Sequence, residues 1–273
     1  PLCRLAGSAR GGRGQGGPEP LLSVKPEPHR IEWLDEVDST NAEALRRAAG
    51  GETGPLWIAA HRQSAGKGRS GRRWTSLPGN LFATLLMSPQ APMARLGELA
   101  LVAGIAAHAA VNTVLPRPAM AQMTGGLRIK WPNDLEMSGA KLAGILSESV
   151  VTAGAQRVAI GFGINVAAAP VRDTRAATCL AALGTRATAE DVLWGLAEAM
   201  SLETALWADG SGLAQILIRW AERSAPFGTP MTVNTEAGQV SGAFAGLAAD
   251  GALLIDTSSG RRRVTFGDVT MEP

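Results

Sequence analysis

Five consecutive residues, Lys130-Trp131-Pro132-Asn133-Asp134, restrict the local fold of this chain more than any other segment. Residues 127–131 alternate as a strand does, and Pro132 must interrupt that strand because proline has no backbone N–H to donate. The largely apolar stretch 141–151 predicts a second strand. We therefore expect a hairpin whose mouth carries a carboxylate, an amide and two lysines, Lys130 and Lys141. Such a mouth suits a polyanion or a carboxylate, and an ordinary surface hairpin with solvated charges is the alternative.

A second basic segment lies upstream, from His61 to Trp74, and contains five lysines or arginines, three glycines and no acidic residue. Glycines let backbone amides approach an anion closely, and the cationic side chains supply charge and forked donors for phosphate or carboxylate oxygens. Residues 66–71 match Gly-x-Gly-x-x-Gly, but no helix follows and no acidic residue stands about 20 positions later, which excludes a dinucleotide fold. Neither Ser nor Thr follows Gly66-Lys67, which excludes a Walker A loop. A solvated, flexible loop is the alternative.

A third polar segment, Asp38-Ser39-Thr40-Asn41, follows a strand-like run at 31–37. Thr40 and Glu43 have the spacing of a capping box, and Gly50-Gly51 marks the end of the helix that it would begin. Hydroxyls and amide hydrogens at a helix N-terminus suit the polar head group of a ligand. A helix cap without a ligand is the alternative.

These segments, taken in order, resemble the biotin protein ligase family from about residue 31 onwards. The matching motifs are Asp38-Ser39-Thr40-Asn41, the loop from Gln63 to Trp74, Gly79-Asn80-Leu81, Lys130 to Leu135, Lys141 to Leu146, and Gly161-Phe162-Gly163-Ile164-Asn165-Val166. The chain departs from the family at Lys67, where the loop usually reads Gly-Arg-Gly-Arg. Lysine keeps the positive charge but lacks the bidentate fork of arginine.

The resemblance implies an α+β fold, in which a mixed sheet packed with helices is followed by a small SH3-like β barrel. The implied domains are a catalytic domain at 29–225 and a C-terminal domain at 226–273. Residues 1–28 are rich in Gly and Pro, cannot bury a core and are expected to be disordered. They are too few and too irregular for a helix-turn-helix domain, so the resemblance is to the monofunctional members of the family.

Periodicity predicts the remaining elements. They are a strand at 80–87, an apolar helix at 93–115, a strand at 157–166, helices at 188–208 and 213–224, and short strands with turn signals after 226. The buried stripe of the apolar helix should consist of Leu96, Leu99, Val102, Ile105 and Ala109. Trp194, Trp207 and Trp220 fall on apolar helix faces and are expected in the core.

The resemblance also implies two reactions. The carboxylate of biotin attacks the α-phosphate of ATP to give biotinyl-5′-AMP and pyrophosphate, and this mixed anhydride then acylates a lysine of a carrier. Because two anions must meet, positive charge is required at their meeting point. The expected small molecules are ATP, Mg²⁺ and biotin, which is a substrate. The expected partner is a biotin carboxyl carrier protein or domain of acetyl-CoA carboxylase or a related carboxylase.

By the same resemblance, the catalytic residues are Lys141, Arg69 and Asp134, with Lys141 as the first candidate for stabilising the transition state. Asp134 is the candidate magnesium ligand or the group that orients the carrier lysine. The residues expected to bind biotin or the nucleotide are Ser39, Thr40, Asn41, Gln63, Gly66, Lys67, Arg69, Arg72, Trp74, Lys130, Asn133, Lys141, Gly144 and Asn165. A core position for Trp74 and a turn-forming role for Asn165 are the alternatives.

Two alternative functions can be tested against the composition. A lipoate ligase would share the fold and the adenylate chemistry but should lack these two basic motifs in this form. A DNA-binding repressor would bind DNA without turning over ATP. The chain has a net charge of +2, but residues 1–30 hold five Lys or Arg against two acids, which leaves the rest of the chain near −1. The rest of the chain therefore shows no nucleic-acid footprint. Two cysteines and the lack of an unbroken apolar run of about 18 residues indicate a cytoplasmic enzyme outside the membrane. The enzyme is expected to be a monomer or a homodimer.

Overall fold

The computed structural model of this protein describes residues 29–116, 126–171, 176–236 and 238–271. These residues form a seven-stranded mixed sheet, four α-helices and a separate five-stranded antiparallel sheet. The predicted α+β fold class is therefore confirmed. The segment expected to be disordered, 1–28, lies outside the described residues.

The larger sheet has the strand order β1-β2-β3-β7-β6-β5-β4. Its strands are β1 (Ile31–Val37), β2 (Leu56–Gln63), β3 (Leu81–Met87), β4 (Leu127–Lys130), β5 (Asp134–Met137), β6 (Ala140–Thr152) and β7 (Ala155–Ile164). Strands β1 and β2 are parallel because helix α1 (Thr40–Ala49) connects them as a crossover, and the other neighbouring strands are antiparallel. Alternate residues of β2 enter two cores, Leu56 and Ile58 against α1, and Trp57 and Ala59 on the opposite face.

Helix α1 begins one residue earlier than the capping-box spacing predicts. Ser39 is the N-cap, and its Oγ accepts from the amide of Ala42, so Thr40 is the first helical residue. The carboxylate of Glu43 binds two arginines of the same helix instead of returning to the cap. The predicted capping box of Thr40 and Glu43 is therefore wrong, and the Thr40 hydroxyl is directed towards β2 and β3 instead.

The predicted apolar helix consists of a 3-10 segment, Met93–Glu98, followed by helix α2 (Leu99–Val114). By length and composition Met93–Val114 could cross a membrane, but 61% of its most apolar window is buried inside the protein. Four of the five predicted stripe residues are buried, and Ala109 is partly buried. The helix is thus part of the main hydrophobic core.

Helices α3 (Ala189–Trp207) and α4 (Leu213–Ala221) pack beside α2 and bury two of the three predicted tryptophans. Trp207 donates through Nε1 to Glu98 Oε2 at 2.6 Å, and Trp220 is 1% exposed. The prediction for Trp194 is wrong, because this side chain is 53% exposed. The buried residues of α3 repeat at helical spacing, and position 194 lies off the stripe that they form. The stripe includes Val192, Leu193, Leu196 and Ala197.

Strand β5 is the largest departure from the predicted topology. We expected one hairpin between 127–131 and 141–151, with Asn133 and Asp134 in its turn. The structure instead pairs Asp134 with Lys130 of β4 and with Gly144 of β6. All four residues of β5 are buried. Leu135 and Met137 point into the hydrophobic core, and the carboxylates of Asp134 and Glu136 point to the opposite face of the sheet. This strand is short and half charged, so it lacks the composition that usually indicates a strand.

The C-terminal sheet has the order β11-β10-β9-β8-β12. Its strands are β8 (Pro230–Thr235), β9 (Gly238–Leu247), β10 (Leu253–Thr257), β11 (Gly260–Val264) and β12 (Asp268–Met271). It contacts the larger domain before β10, where the carbonyl of Gly251 accepts from Trp131 Nε1 at 3.2 Å. Gly251 has a φ of +84°, and a Cβ there would lie 2.7 Å from Leu101 Cδ1, so glycine is required at this contact.

His108 of α2 gives the stability of the fold a pH dependence. Its Nε2 lies 3.3 Å from the carbonyl oxygen of Leu127, and burial lowers its pKa from 6.5 to about 4. Because the folded pKa lies below the unfolded one, protonation favours the unfolded chain, and the contribution present above pH 6.5 is lost as the pH falls towards 4. We expect this residue to lower the free energy of unfolding by roughly 2–3 kcal/mol between pH 7.5 and pH 4.5.

Urea denaturation of the wild type and His108→Gln at the two pH values measures this contribution. Glutamine can still donate to the carbonyl of Leu127 but does not titrate, so the variant should lose less stability on acidification. Equal losses in the two proteins would contradict the assignment to His108.

Candidate active site

A cavity of about 1270 Å³ opens between strands β2 and β4–β7 and the C-terminal domain. Among the described residues its wall carries seven basic side chains: Lys67, Arg69, Arg72, Arg73, Arg128, Lys130 and Lys141. Three carboxylates line the same wall: Asp134, Glu136 and Asp268. This excess of positive charge suits a ligand with several negative charges.

Two ion pairs lie on the part of the wall formed by β4, β5 and β6. Lys141 Nζ is 2.6 Å from Asp134 Oδ1, and Lys130 Nζ is 3.1 Å from Glu136 Oε1. In the sheet, the residue opposite Lys130 is Asp134, and the residue opposite Lys141 is Glu136. Each lysine therefore forms its ion pair diagonally, with the β5 carboxylate two residues away from the one opposite it. The four side chains are at most 16% exposed, and charges with so little solvation interact strongly with an incoming anion. An anion at Lys141 must compete with Asp134.

Trp74 packs against two glycines on the wall of the cavity. A Cβ on Gly144 would lie 2.9 Å from Trp74 Cζ3, and one on Gly163 would lie 2.4 Å from Trp74 Cε2. Lys141 Nζ is 5.4 Å from the centre of the indole ring, which is within the range of a cation–π contact. The lysine lies over the same glycine as the ring, since a Cβ on Gly144 would also lie 3.3 Å from Lys141 Nζ. The ring occupies this place because Gly144 of β6 and Gly163 of β7 carry no side chain.

Gly163→Ala is expected to destabilise the protein by about 1–3 kcal/mol, because the added methyl group and the indole ring cannot occupy the same space. Gly97→Ala is the matched control, since a Cβ at Gly97 meets nothing within 4 Å. Urea denaturation measures both variants, and Gly163→Ala combined with Trp74→Leu should recover most of the loss. A Gly163→Ala protein as stable as the control would contradict this geometry.

The basic loop forms a short hairpin between β2 and β3. The amide of Trp74 donates to the carbonyl of Gly66 at 2.9 Å, and the amide of Gly68 donates to the carbonyl of Arg72 at 2.7 Å. Between them Arg69–Gly71 forms a 3-10 turn, in which Gly71 has a φ of +71°. The turn points its arginines into the cavity.

The C-terminal domain holds the tip of this loop in place. Arg69 Nη1 donates to Asn133 Oδ1 and to the carbonyl of Gly267, each at 3.3 Å, and its guanidinium lies 4.9 Å from the centre of the Phe266 ring. Arg72 forms an ion pair with Asp268. The Arg69 side chain is 18% exposed, and its burial lowers the pKa of the guanidinium. Sequence reasoning missed Phe266, Gly267 and Asp268, because they follow the loop by nearly 200 residues and form no local motif.

The inner end of the cavity is polar and nearly uncharged. Ser39 and Thr40 at the start of α1, and Gln63 at the end of β2, line it together with Asn41. Gln63 Oε1 accepts from the amide of Thr40 at 2.9 Å, which fixes the glutamine side chain against the helix. Groups of this kind bind a neutral polar head group by hydrogen bonds.

Of the residues expected to bind ligand, all except Gly66 and Asn165 lie on the cavity wall. Asn165 is 2% exposed, and its Nδ2 donates to the carbonyl of Thr178 at 3.0 Å. The backbone of Thr178 in turn pairs with that of Lys141, so Asn165 supports the strand that carries the lysine. Asn80, to which the sequence assigned no role, accepts three backbone amides through Oδ1, from Val166, Ala167 and Ala168.

The described residues include no group of three or more His, Cys, Asp or Glu side chains that could hold a metal ion. Asp134 lies on the cavity wall beside Lys141 and Asn133, and Glu136 follows two residues later on the same strand. Magnesium is commonly bound by one or two carboxylates together with the phosphates of a substrate. The Asp134 carboxylate, together with substrate phosphates, fits this way of binding magnesium.

The sequence and the fold both match known proteins. Residues 34–165 match the biotin/lipoate A/B protein ligase family, and residues 227–271 match the biotin protein ligase C terminal domain. A biotin–[acetyl-CoA-carboxylase] ligase from Paracoccus denitrificans is 35% identical over 243 residues, covering 86% of this chain and 98% of that protein. One from Mycobacterium tuberculosis is 32% identical over 246 residues, covering 88% of each.

A solved structure agrees with these sequence matches. The biotin protein ligase from Aquifex aeolicus in complex with biotin and ATP superposes with a TM-score of 0.72 at 26% identity, over 89% of this chain and 98% of that one. The similarity extends through both domains and includes the strands and the loop that form the cavity. The chain therefore belongs to the biotin/lipoate A/B protein ligase family and carries the C-terminal domain of the biotin protein ligases.

Proposed function

We propose that this protein is an ATP-dependent biotin ligase, which activates biotin as biotinyl-5′-AMP and transfers the biotinyl group to a lysine of a carrier. One observation carries the proposal. A single cavity joins an uncharged polar inner end, suited to the ureido head group of biotin, to a cationic mouth, suited to a carboxylate and a nucleotide. The related proteins that act on acetyl-CoA carboxylase support the same substrate pair.

In the first reaction an oxygen of the biotin carboxylate bonds to the α-phosphorus of ATP, and the bond to pyrophosphate breaks. Lys141 is proposed to bridge the carboxylate and the α-phosphate, after an incoming oxygen has replaced Asp134 as its acceptor. Positive charge placed where the phosphoryl oxygens gain charge stabilises the transition state more than the ground state. Arg69, Lys67 and Arg72 are proposed to bind phosphate oxygens from the loop side.

In the second reaction the amine of the carrier lysine attacks the carbonyl carbon of the anhydride, and AMP leaves. Asp134, once separated from Lys141, is proposed to orient this amine by accepting one of its hydrogens. The carboxylate lies on the cavity wall beside Asn133, where the bound anhydride would be reached from the mouth.

Magnesium, bound with the phosphates of ATP, would neutralise part of their charge, and Asp134 is the residue proposed to contact it. The carrier is proposed to be the biotin carboxyl carrier protein or domain of acetyl-CoA carboxylase or a related carboxylase. We propose a cytoplasmic location, since the cysteine among the described residues, Cys179, is free and buried, as in proteins of reducing compartments.

Pyrophosphate release tests the function directly. The full-length protein with ATP and Mg²⁺ should release pyrophosphate with biotin and release little with lipoate, whose dithiolane ring offers no N–H or carbonyl to the polar inner end. Release with lipoate alone would assign the protein to the lipoate ligases. Specific DNA binding without release from either acid would support the repressor alternative.

A further inference from the structure

Lysine is rare in this chain, since only four of its 26 lysines and arginines are lysines. The three that lie among the described residues, Lys67, Lys130 and Lys141, all line the cavity. A lysine amine that has lost its proton is a nucleophile, whereas an arginine in a protein stays protonated. The arginines of the described surface therefore cannot take up an acyl group from an activated carboxylate, while each described lysine faces the cavity in which such a group would form.

Two of these lysines are engaged by carboxylates. Lys130 Nζ is 3.1 Å from Glu136 Oε1, and the lysine side chain is 7% exposed. Lys141 Nζ is 2.6 Å from Asp134 Oδ1, and its side chain is 16% exposed. An ammonium group that donates to a carboxylate has no lone pair with which to attack a carbonyl carbon. Both lysines thus act as cations and not as nucleophiles.

Lys67 differs from both. It is exposed, and in the part of the chain that the structure describes no carboxylate forms an ion pair with it. Its backbone pairs with that of Arg73 across the basic loop, so two cationic residues lie opposite each other. Like charges directly opposite each other destabilise such a pairing. Acylation of Lys67 would remove one of the two charges and with it this repulsion.

The position of Lys67 in the loop places its amine near the proposed reaction. A Cβ on the preceding residue, Gly66, would lie 2.9 Å from Gln63 Nε2 and 3.1 Å from the carbonyl oxygen of Trp74. The ring of Trp74 is in turn 5.4 Å from Lys141 Nζ, where the anhydride is proposed to form. The flexible four-carbon stem of Lys67 therefore begins between the polar inner end of the cavity and its cationic mouth.

We propose that Lys67 is a self-modification site, which accepts the biotinyl group from bound biotinyl-5′-AMP when no carrier is present. The inference rests on the proposed function. The neutral amine of Lys67 attacks the acyl carbon of the anhydride, and the bond from this carbon to the phosphate oxygen breaks. AMP leaves with the electron pair of that bond, and the new amide nitrogen gives one proton to water. The amide carries no charge, so modification also removes one of the cations proposed to bind phosphate.

Peptide mass spectrometry locates the modification. The full-length protein is incubated with biotin, ATP and Mg²⁺ without a carrier and is then digested with trypsin. Trypsin cleaves after an unmodified Lys67 but not after an acylated one, so the modified site appears as the peptide 63–69 with the added mass of one biotinyl group. Lys25, in the peptide 14–30, reports acylation by intermediate that has left the enzyme. Label at Lys67 should exceed label at Lys25 by on the order of tenfold, because a bound intermediate has a high effective concentration at a neighbouring amine.

Two variants with the same substitution separate Lys67 from general effects. Lys67→Arg keeps the positive charge but removes the nucleophile, so the label per pyrophosphate released should fall by on the order of tenfold. Lys25→Arg is the matched control and should keep the label of the wild type. The fraction of wild-type enzyme labelled in a given time should not change on dilution, because the reaction takes place within one molecule. Added carrier domain should lower that fraction, since it consumes the same intermediate.

A labelled fraction that falls in proportion to the enzyme concentration, or equal label at Lys25 and Lys67, would overturn the inference, because both results indicate free intermediate. A protein that releases pyrophosphate with biotin but carries no label at Lys67 would overturn the inference and leave the proposed function standing. A protein that releases no pyrophosphate with biotin would overturn both.

Discussion

Lys141→Ala is expected to slow the formation of biotinyl-5′-AMP by roughly 10²–10³-fold, which is the usual cost of removing one donor from a developing oxyanion. The physical reason is the position of the lysine, whose side chain is 16% exposed and whose ammonium group lies next to Asp134 and 5.4 Å from the centre of the Trp74 ring. With so little water nearby, no solvent dipole can replace the lost charge. Single-turnover measurement of pyrophosphate release with saturating biotin and ATP gives the rate directly.

Arg62→Ala is the control for this substitution, because it also removes one cation from an ion pair, but at an exposed site on β2. It should leave the rate unchanged. Transfer from presynthesised biotinyl-5′-AMP to the carrier should suffer less in Lys141→Ala than adenylation does, since formation of the mixed anhydride has already reduced the phosphate charge. A loss of less than tenfold in adenylation would contradict the role of Lys141.

Arg69→Ala is expected to release biotinyl-5′-AMP from the enzyme on the order of 10–100-fold faster, the equivalent of one or two charge-assisted hydrogen bonds. Arg69 bonds to Asn133 on one side of the mouth and to Gly267 on the other, so its guanidinium spans the opening. Without it, the loop loses its attachment and the phosphate loses a forked donor.

The release rate can be measured by chasing labelled intermediate from the enzyme with excess unlabelled compound, without a carrier. Arg262→Ala, an exposed arginine of β11, serves as the control and should release the intermediate at the wild-type rate. The rate of adenylation should change less than the release rate, because Lys141 remains in place. An unchanged release rate in Arg69→Ala would show that the loop does not retain the intermediate.

Much of the site could be predicted because its motifs are local. The Lys130–Asp134 run and the loop from Gln63 to Trp74 each place several polar groups within a few residues, and turn chemistry brings them to one edge of the sheet. The paired glycines at 161 and 163 carried a further signal, since alternate residues of a strand share a face and small ones permit close approach. Here they admit Asn41 and Trp74.

The rest depended on interactions that no local pattern encodes. Strand β5 could not be recognised because Asp134 and Glu136 are stabilised in the sheet by lysines from the neighbouring strands, not by strand propensity. The choice of Ser39 over Thr40 as the N-cap follows from the bonds of Thr40 to β2 and β3. Trp194 is exposed because of its angular position around α3, and one tryptophan in a sequence does not reveal that position.

The attachment of the loop to the C-terminal domain has a consequence for protein synthesis. Gly267 and Asp268 lie 198 and 196 residues after Arg69 and Arg72, so the ribosome releases the loop long before it releases the residues that anchor it. If Arg69 retains the intermediate as proposed, a nascent chain that lacks these residues would release it into solution. On that proposal, the synthesis of Gly267 and Asp268 is the step at which translation yields an enzyme able to keep its intermediate for the carrier.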